Sequence, residues 1–310
     1  MNPHADDAAM DSRRALLVDA FTTDPLAGNA AGVVPDADGL SETQMQAIAR
    51  ELSVSETVFV HAPDDDGDYR VRYFTPTQEV DLCGHATVAL HAHLHADGAL
   101  ATGTHAMETN VGTLDVDVAE DGTVWMTQAD PTVREVDPDD ERVADALGVD
   151  VATLRDVGAD LPTAVASTGL SFLVVPINFL EHLGNADPDM AAIESLAAEY
   201  DATGVYAFTF DALDADSTLH ARMFAPGAGV PEDPVTGMAS GACGAYLREV
   251  DAFEGELPDE MRFEQGHFVD RPGHVSVRVG DVVQVGGQAT ASFDGTLLVP
   301  EDEDDDIVEA

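Results

Sequence analysis

A five-residue pattern occurs twice in the chain, at positions 150 residues apart. Arg72-Tyr-Phe74-Thr-Pro76 recurs as Arg222-Met-Phe224-Ala-Pro226, and each copy is followed within about a dozen residues by a glycine and a run of small residues. The predicted order strand, helix, strand, strand, helix, strands surrounds both copies. A chain of 310 residues is long enough for about two domains. The repeat therefore predicts a duplicated domain.

Hydrophobic periodicity assigns the elements of both halves. In the first half it predicts strands at 15–21, 57–60, 69–74, 113–118 and 123–128, and helices at 42–52, 86–96 and 137–148. In the second half it predicts strands at 171–177, 204–210 and 218–224, helices at 189–200 and 236–250, and three closing strands. The fold class is α+β. We expect a flexible acidic extension (1–14), two domains (15–130 and 131–299) whose last strands are free to cross back to the first, and an acidic tail (300–310).

Charge excludes several classes of function. The formal net charge is −47, from 60 acidic residues against 13 basic residues, all of which are arginine. A nucleic-acid-binding face or a polybasic membrane patch needs clustered cations, and this chain has none. Schiff-base chemistry and a P-loop both need a lysine. Since hydrophobic residues make up 45% of the chain, it can still bury a core.

The excess of acidic residues predicts that the protein works at high salt concentration. Repulsion of this size destabilises a compact chain unless salt screens it, and screening is strongest at molar salt. We therefore expect a high-salt cytoplasm of the haloarchaeal type, with an acidic mesophilic protein as the alternative. The first fourteen residues lack the apolar core of a signal peptide. No run of the chain is long and apolar enough to span a membrane. Two cysteines are no disulfide framework, which fits a cytoplasmic setting.

Two turns that precede the small-residue helices carry ionisable side chains. The first contains Cys83-Gly84-His85, and the second contains Asp233-Pro-Val-Thr-Gly237. If the halves are related by a pseudo-twofold axis, both helix N-termini face one cleft and bind an anion there. His85 and Asp233 are proton-transfer candidates, with a capping or surface histidine and an N-cap aspartate as alternatives. Glu56 leads into an apolar strand, where its carboxylate can enter a dry site; the alternative is a polar residue at a strand start.

These segments resemble the PhzF family, the phenazine-biosynthesis-like isomerases of the diaminopimelate-epimerase fold. The resemblance is carried by segments 18–34, 55–60, 74–87 and 222–237, and by the late RPGHVSVRV and VGGQA. It implies two similar domains, each a mixed sheet curled into a barrel around a central helix, with the active site in the cleft between them. It also implies acid–base isomerisation of a small carboxylate-bearing substrate without metal or organic cofactor. We expect a homodimer with no nucleic-acid or membrane partner.

The resemblance also assigns roles to residues. The family's proton-shuttling glutamate falls on Glu56, its histidine on His85 and its aspartate on Asp233, while Gly84 and Gly237 would hold the substrate carboxylate through their backbone amides. Met238 stands where the family often has serine, so an apolar side chain replaces a hydroxyl that could bind substrate. The identity of the substrate is therefore open.

The residues leave three alternatives open. A cysteine-dependent epimerase would use Cys83, but Cys243 lies ten residues after Asp233 and is better placed as a core residue. A metal site could be formed by His91, His93 and His95, although a solvated histidine-rich helix face is the preferred interpretation. The third alternative is a small-molecule-binding protein without catalysis.

Overall fold

The computed structural model describes residues 11–65, 67–155, 157 and 161–301. The first half of the chain forms two helices and eight strands in this described part. The helices are α1 (Glu42–Leu52) and α2 (Gly84–Ala96), and the strands are β1 (Ser12–Ala20), β2 (Asn29–Val34), β3 (Glu56–His61), β4 (Tyr69–Phe74), β5 (Glu79–Val80), β6 (Gly103–Thr109), β7 (Gly112–Val118) and β8 (Val124–Thr127).

The second half of the chain also alternates between strands and helices. Its helices are α3 (Asp140–Leu147), α4 (Ala152–Arg155), α5 (Leu180–Gly184), α6 (Met190–Glu199) and α7 (Gly237–Glu249). Its strands are β9 (Thr132–Glu135), β10 (Ala164–Ser167), β11 (Ser171–Pro176), β12 (Gly204–Thr209), β13 (Leu219–Ala225), β14 (Val230–Asp233), β15 (Met261–Gln265), β16 (Gly273–Val279), β17 (Val283–Gly287) and β18 (Ala289–Leu298). The predicted strands and helices are thus present, with ends that shift by a few residues.

Sixteen of the eighteen described strands pair in two matching sets of eight, while β5 pairs with β4 and β14 with β13. One set runs β18, β1, β2, β3, β4, β6, β7, β8, and the other runs β17, β16, β15, β13, β12, β11, β10, β9. Each set contains two parallel pairs, β2 with β3 and β4 with β6 in the first, β11 with β12 and β13 with β15 in the second. The sets join through β8 and β17. Both sheets are therefore mixed and follow the same plan.

Each sheet curls around one helix. Helix α2 contacts β18, β1, β2, β3, β7 and β8, and helix α7 contacts β9, β10, β11, β16 and β17. Strands surround both helices, so their middle residues are buried on all sides (86–93 and 239–247). This confirms the α+β class with two similar halves, each built around a central helix.

The central position of α2 makes one prediction wrong. The histidine-rich stretch of this helix was expected to form a solvated face, but His91 is 0% exposed and His93 is 7% exposed. Only His95, near the helix end, is half-buried rather than buried. A helix enclosed by strands has no solvated face, and the local spacing of the histidines does not reveal that enclosure.

The repeated motif forms the same interactions in both halves. Its arginine binds a glutamate through two parallel hydrogen bonds, Arg72 with Glu79 at 2.7 and 2.6 Å, and Arg222 with Glu232 at 2.8 and 2.8 Å. Each guanidinium also lies over the phenylalanine two residues later, at 5.1 and 5.0 Å from the ring centroid. Because both geometries recur, the five-residue pattern marks equivalent positions of one duplicated architecture.

The two ends of the described chain meet in the first sheet. Strand β1 begins at Ser12, pairs with β18, and is closed by a hydrogen bond from Val299 N–H to the Asp11 carbonyl at 2.8 Å. Residues 1–10 of the predicted extension and 302–310 of the predicted tail lie outside the described residues, and the domain division at 130 remains a prediction. No described helix combines the length and apolar character needed to cross a membrane.

Candidate active site

A cleft of about 230 Å³ lies where α2 and α7 begin. Both halves of the chain contribute to its wall. Ionisable and polar side chains in the wall are Ser55, Glu56, Cys83, His85, Gln128, Thr203, Asp233 and Thr236, and apolar ones include Phe21, Leu82, Val88, Met126, Leu170, Phe172, Met223, Val230, Val235, Met238 and Val285. All six sequence-predicted site residues, Glu56, Gly84, His85, Asp233, Gly237 and Met238, line this cleft.

The two helix N-termini at the cleft have no side-chain cap. Neither Cys83, which precedes α2, nor Thr236, which precedes α7, makes a capping hydrogen bond. By contrast, Ser41, Asp139 and Asp189 each cap a helix that starts elsewhere. The first-turn backbone N–H groups of α7, and that of Gly84 in α2, are therefore left to a ligand, whereas those of His85 and Ala86 approach the Cys83 sulfur. Together with the positive ends of two helix dipoles, the N–H groups left to a ligand favour an anion.

His85 lies at the centre of a polar group on one wall. Its Nε2 atom is 3.6 Å from Glu56 Oε2 and 3.3 Å from Ser55 Oγ, and its Nδ1 atom is 3.3 Å from Cys83 Sγ. Glu56 is the first residue of β3, and His85 is the second residue of α2. Their side chains are 23% and 12% exposed, so both are screened from water yet reachable from the cleft. The structure thus brings the predicted glutamate and histidine together.

Asp233 ends β14 in the other half of the chain. Its Oδ2 atom accepts a hydrogen bond from the Thr236 hydroxyl, and its Oδ1 atom accepts one from Asn29 Nδ2 at 2.9 Å. Burial raises the pKa of Asp233, and the nearby negative charge of Glu56 raises it further, whereas the Thr236 hydrogen bond and His85 oppose the rise. The N-cap alternative is wrong, because Thr236 occupies the N-cap position of α7.

The two predicted glycines differ in what surrounds them. A Cβ atom added at Gly237 would lie 3.0 Å from the ring of Phe21, so packing restricts this position. A Cβ atom added at Gly84 would meet nothing within 4 Å. Position 84 therefore has room for a larger side chain within the protein, and that room belongs to the cleft that Gly84 lines.

Sequence reasoning missed two residues of the site, Phe21 and Asn29. Phe21 has a φ of 65°, is 2% exposed, and is held by hydrogen bonds to Gln288 O and from His274 N, both at 2.7 Å. A bulky residue in the left-handed region is rare and marks a position fixed by its surroundings. Asn29 is 4% exposed. Both residues lie in the segment 18–34 that carries the family resemblance, but only their contacts with the other half give them a role.

The structure supports neither the histidine metal site of α2 nor the pair of catalytic cysteines. His91 uses both ring nitrogens, with Nδ1 bonded to the Thr87 carbonyl at 2.7 Å and Nε2 to the Tyr69 hydroxyl. Among the described residues, the one group of three potential ligand atoms lying within 4.8 Å of one another is Glu56, Cys83 and His85. Cys243 is 0% exposed and lies outside the cleft wall. It packs in the core as predicted, so the structure does not support a pair of facing thiols.

Known proteins resemble this chain along nearly its whole length. The profile of the PhzC-PhzF family, described as phenazine biosynthesis-like protein, matches residues 18–295. An uncharacterized isomerase of Bacillus subtilis is 36% identical over 94% of this chain and 98% of its own. The trans-2,3-dihydro-3-hydroxyanthranilate isomerase of Pseudomonas chlororaphis is 30% identical over 92% and 99%. The crystal structure of a PhzF-family protein of Bacillus anthracis aligns with a TM-score of 0.85 at 33% identity, covering 94% of this chain and 100% of that one.

Proposed function

The chain belongs to the PhzC-PhzF family of phenazine biosynthesis-like proteins, and from that premise we propose that it is an acid–base isomerase acting on a small carboxylate-bearing substrate, without metal or organic cofactor. The observation that carries this proposal is the convergence of Glu56, His85 and Asp233 on one cleft, which also receives two uncapped helix N-termini. Proton transfer needs ionisable groups held close to a bound substrate, and an anionic intermediate needs preorganised donors.

Glu56 is the proposed base. Its carboxylate takes a proton from one carbon of the substrate, exchanges it with solvent, and delivers a proton to another carbon, so no net proton is gained or lost. His85, 3.6 Å from that carboxylate, is placed to stabilise its charge and to share the proton. Asp233 contacts the substrate from the opposite half, held in orientation by Asn29 and Thr236.

The N-termini of α2 and α7 are proposed to bind the substrate and to stabilise the anionic intermediate. The first-turn amides at Gly84 and Gly237 hold the substrate carboxylate and stabilise the negative charge that develops when carbon loses its proton. Because these donors are backbone groups, the site needs no lysine. Under this proposal a chain of net charge −47 can still bind an anionic substrate.

The cleft also limits the substrate. A volume of about 230 Å³ is below the range of pockets for drug-sized ligands, and the wall is mostly apolar. Met238 adds an apolar, deformable side chain to this wall. These features favour a compact, unsaturated or cyclic carboxylate. The relative's substrate, trans-2,3-dihydro-3-hydroxyanthranilate, is one candidate of that class.

We further propose that the enzyme works as a homodimer in a high-salt cytoplasm of the haloarchaeal type. The high-salt setting is supported by the excess of 60 acidic over 13 basic residues, since most carboxylates then have no cationic partner within the chain.

A ligand screen tests the proposed function. Small cyclic and amino carboxylates, including the relative's substrate, are added to the protein in molar KCl, and thermal shifts identify those that bind. Each ligand is then incubated with the protein in D₂O and followed by NMR. We expect at least one ligand to gain deuterium from solvent at carbon. Ligands that bind but never exchange a carbon-bound proton would instead support a binding protein without catalysis.

A further inference from the structure

Three ligand atoms of different chemistry meet on one wall of the cleft. A carboxylate oxygen of Glu56, the Sγ atom of Cys83 and a ring nitrogen of His85 all lie within 4.8 Å of one another. The two ring nitrogens of His85 face different partners: Nδ1 lies 3.3 Å from Cys83 Sγ, and Nε2 lies 3.6 Å from Glu56 Oε2. Zinc bonds of roughly 2.0–2.3 Å at a tetrahedral angle place neighbouring ligand atoms roughly 3.3–3.7 Å apart. Because one imidazole binds a zinc ion through a single nitrogen, the His85 ring and its neighbours must rotate to bring that nitrogen, Cys83 Sγ and the Glu56 oxygen from within 4.8 Å to this spacing.

The charges around this group also favour a cation. Asp233 faces the same cleft and couples electrostatically with both Glu56 and His85. The described residues of the wall include no arginine, and the chain has no lysine, so no fixed cation balances these two carboxylates. A divalent ion bound beside Glu56 and Cys83 would relieve the repulsion between the carboxylates of Glu56 and Asp233 in a mostly apolar cleft.

We propose that Glu56, Cys83 and His85 form a reversible inhibitory site for Zn²⁺, with the fourth coordination position open to the cleft. Mixed sulfur, nitrogen and oxygen donors suit zinc, and three protein ligands with one open position are a common arrangement for it. On binding, the Cys83 thiol loses its proton to solvent as the sulfur–zinc bond forms, so binding releases one proton. Magnesium and calcium require oxygen ligands and are not expected to compete.

Inhibition follows from shared side chains and therefore rests on the proposed function. A zinc ion bound to Glu56 and His85 occupies the lone pairs that those groups need for proton transfer. It also fills the part of the cleft next to Gly84 where the substrate carboxylate is expected. Zinc and substrate are thus mutually exclusive, and the ion acts as a competitive inhibitor that a chelator removes.

Equilibrium dialysis tests the site without any substrate. The full chain is stripped with chelator and dialysed against micromolar zinc in potassium acetate, with millimolar magnesium present to occupy surface carboxylates. We expect one zinc per chain in the wild type, a loss of affinity of at least roughly tenfold in Cys83→Ser, and unchanged binding in the matched control Cys243→Ser. With Co²⁺, the wild type and Cys243→Ser should show thiolate-to-cobalt charge-transfer absorption that Cys83→Ser lacks.

The outcomes separate this site from the proposed function. Wild-type protein that holds no stoichiometric zinc, or Cys83→Ser that binds zinc as tightly as wild type, overturns the metal site whatever the enzyme does. Stoichiometric zinc that leaves deuterium exchange of a substrate unaffected overturns the inhibitory role. Absence of any exchange activity overturns the proposed function and leaves the binding result standing.

Discussion

The Asn29 side chain donates a hydrogen bond to Asp233 Oδ1 at 2.9 Å, joining the two halves of the chain at the candidate active site. The same amide also donates to the Val235 carbonyl at 2.9 Å, so its orientation is fixed by two acceptors of the second half. Asn29 begins β2 of the first half and is 4% exposed. A carboxylate proposed to contact the substrate is therefore positioned by a residue more than 200 positions earlier in the chain.

Replacement of Asn29 by alanine should lower isomerase activity by roughly 10- to 100-fold, because a hydrogen bond to a charged group contributes about 1.5–3 kcal/mol. The Asn29 hydrogen bond lowers the pKa of Asp233 against the opposing effect of burial. Its loss should therefore move the ionisation of Asp233, and the corresponding limb of the pH–rate profile, to higher pH. The matched control is Asn110→Ala, which removes an amide donor from Glu79 on the exposed surface. Unchanged activity and pH profile in Asn29→Ala would contradict a positioning role.

The two cleft glycines should respond differently to alanine. Gly84→Ala is expected to keep or slightly raise the melting temperature, since the new methyl meets nothing and alanine favours the helix, yet to weaken substrate binding. Gly237→Ala is expected to lower the melting temperature, because its methyl would lie 3.0 Å from the Phe21 ring. Thermal melts and ligand titrations check both. Full ligand affinity in Gly84→Ala would argue against binding at the start of α2.

Acid should destabilise the fold through His91. Burial lowers its pKa to about 4, against 6.5 for the unfolded chain, so the unfolded state binds more protons between these values. Stability is then unaffected above pH 6.5 and decreases as the pH falls toward 4, by up to about 3 kcal/mol from this group. His91→Gln should reduce that decrease in urea titrations at several pH values, whereas His95→Gln, at the half-buried end of the helix, should not. Equal pH slopes in the two variants would count against His91.

Salt should stabilise the protein. Raising KCl from 0.1 to 3 M screens repulsion among carboxylates that outnumber the arginines, and we expect the melting temperature to rise by roughly 10 °C. Sucrose of equal osmolality stabilises through exclusion but does not screen charge, so its effect should be smaller. A melting temperature that is the same in both KCl concentrations would refute the high-salt assignment.

Local sequence patterns predict much of this architecture. The helix over 42–52 has the predicted limits, because Ser41 and Gln44 form a capping box at its start. The repeated Arg–Phe motif correctly indicates two similar halves, since its pairings depend on residues close in sequence. The family resemblance points to Glu56, His85 and Asp233, and all three line the same cleft in the structure.

Long-range packing accounts for what the sequence patterns miss. The histidines of α2 look like a polar face, and only the enclosing strands show that His91 is core. Asn29 and Phe21 acquire their roles from contacts with residues 200 or more positions away, such as Asp233 and Gln288. No periodicity in one sequence reports such contacts.

Solvent deuterium exchange in Glu56→Gln tests the central claim most directly. A substrate found in the screen is turned over in D₂O by wild type, by Glu56→Gln, and by the matched control Glu51→Gln, which changes an exposed carboxylate of α1. Because Glu56 is proposed to take and return the proton, wild type and Glu51→Gln should incorporate deuterium at carbon, while Glu56→Gln should lose incorporation by at least roughly 10²-fold. Incorporation that continues unchanged in Glu56→Gln would contradict the account.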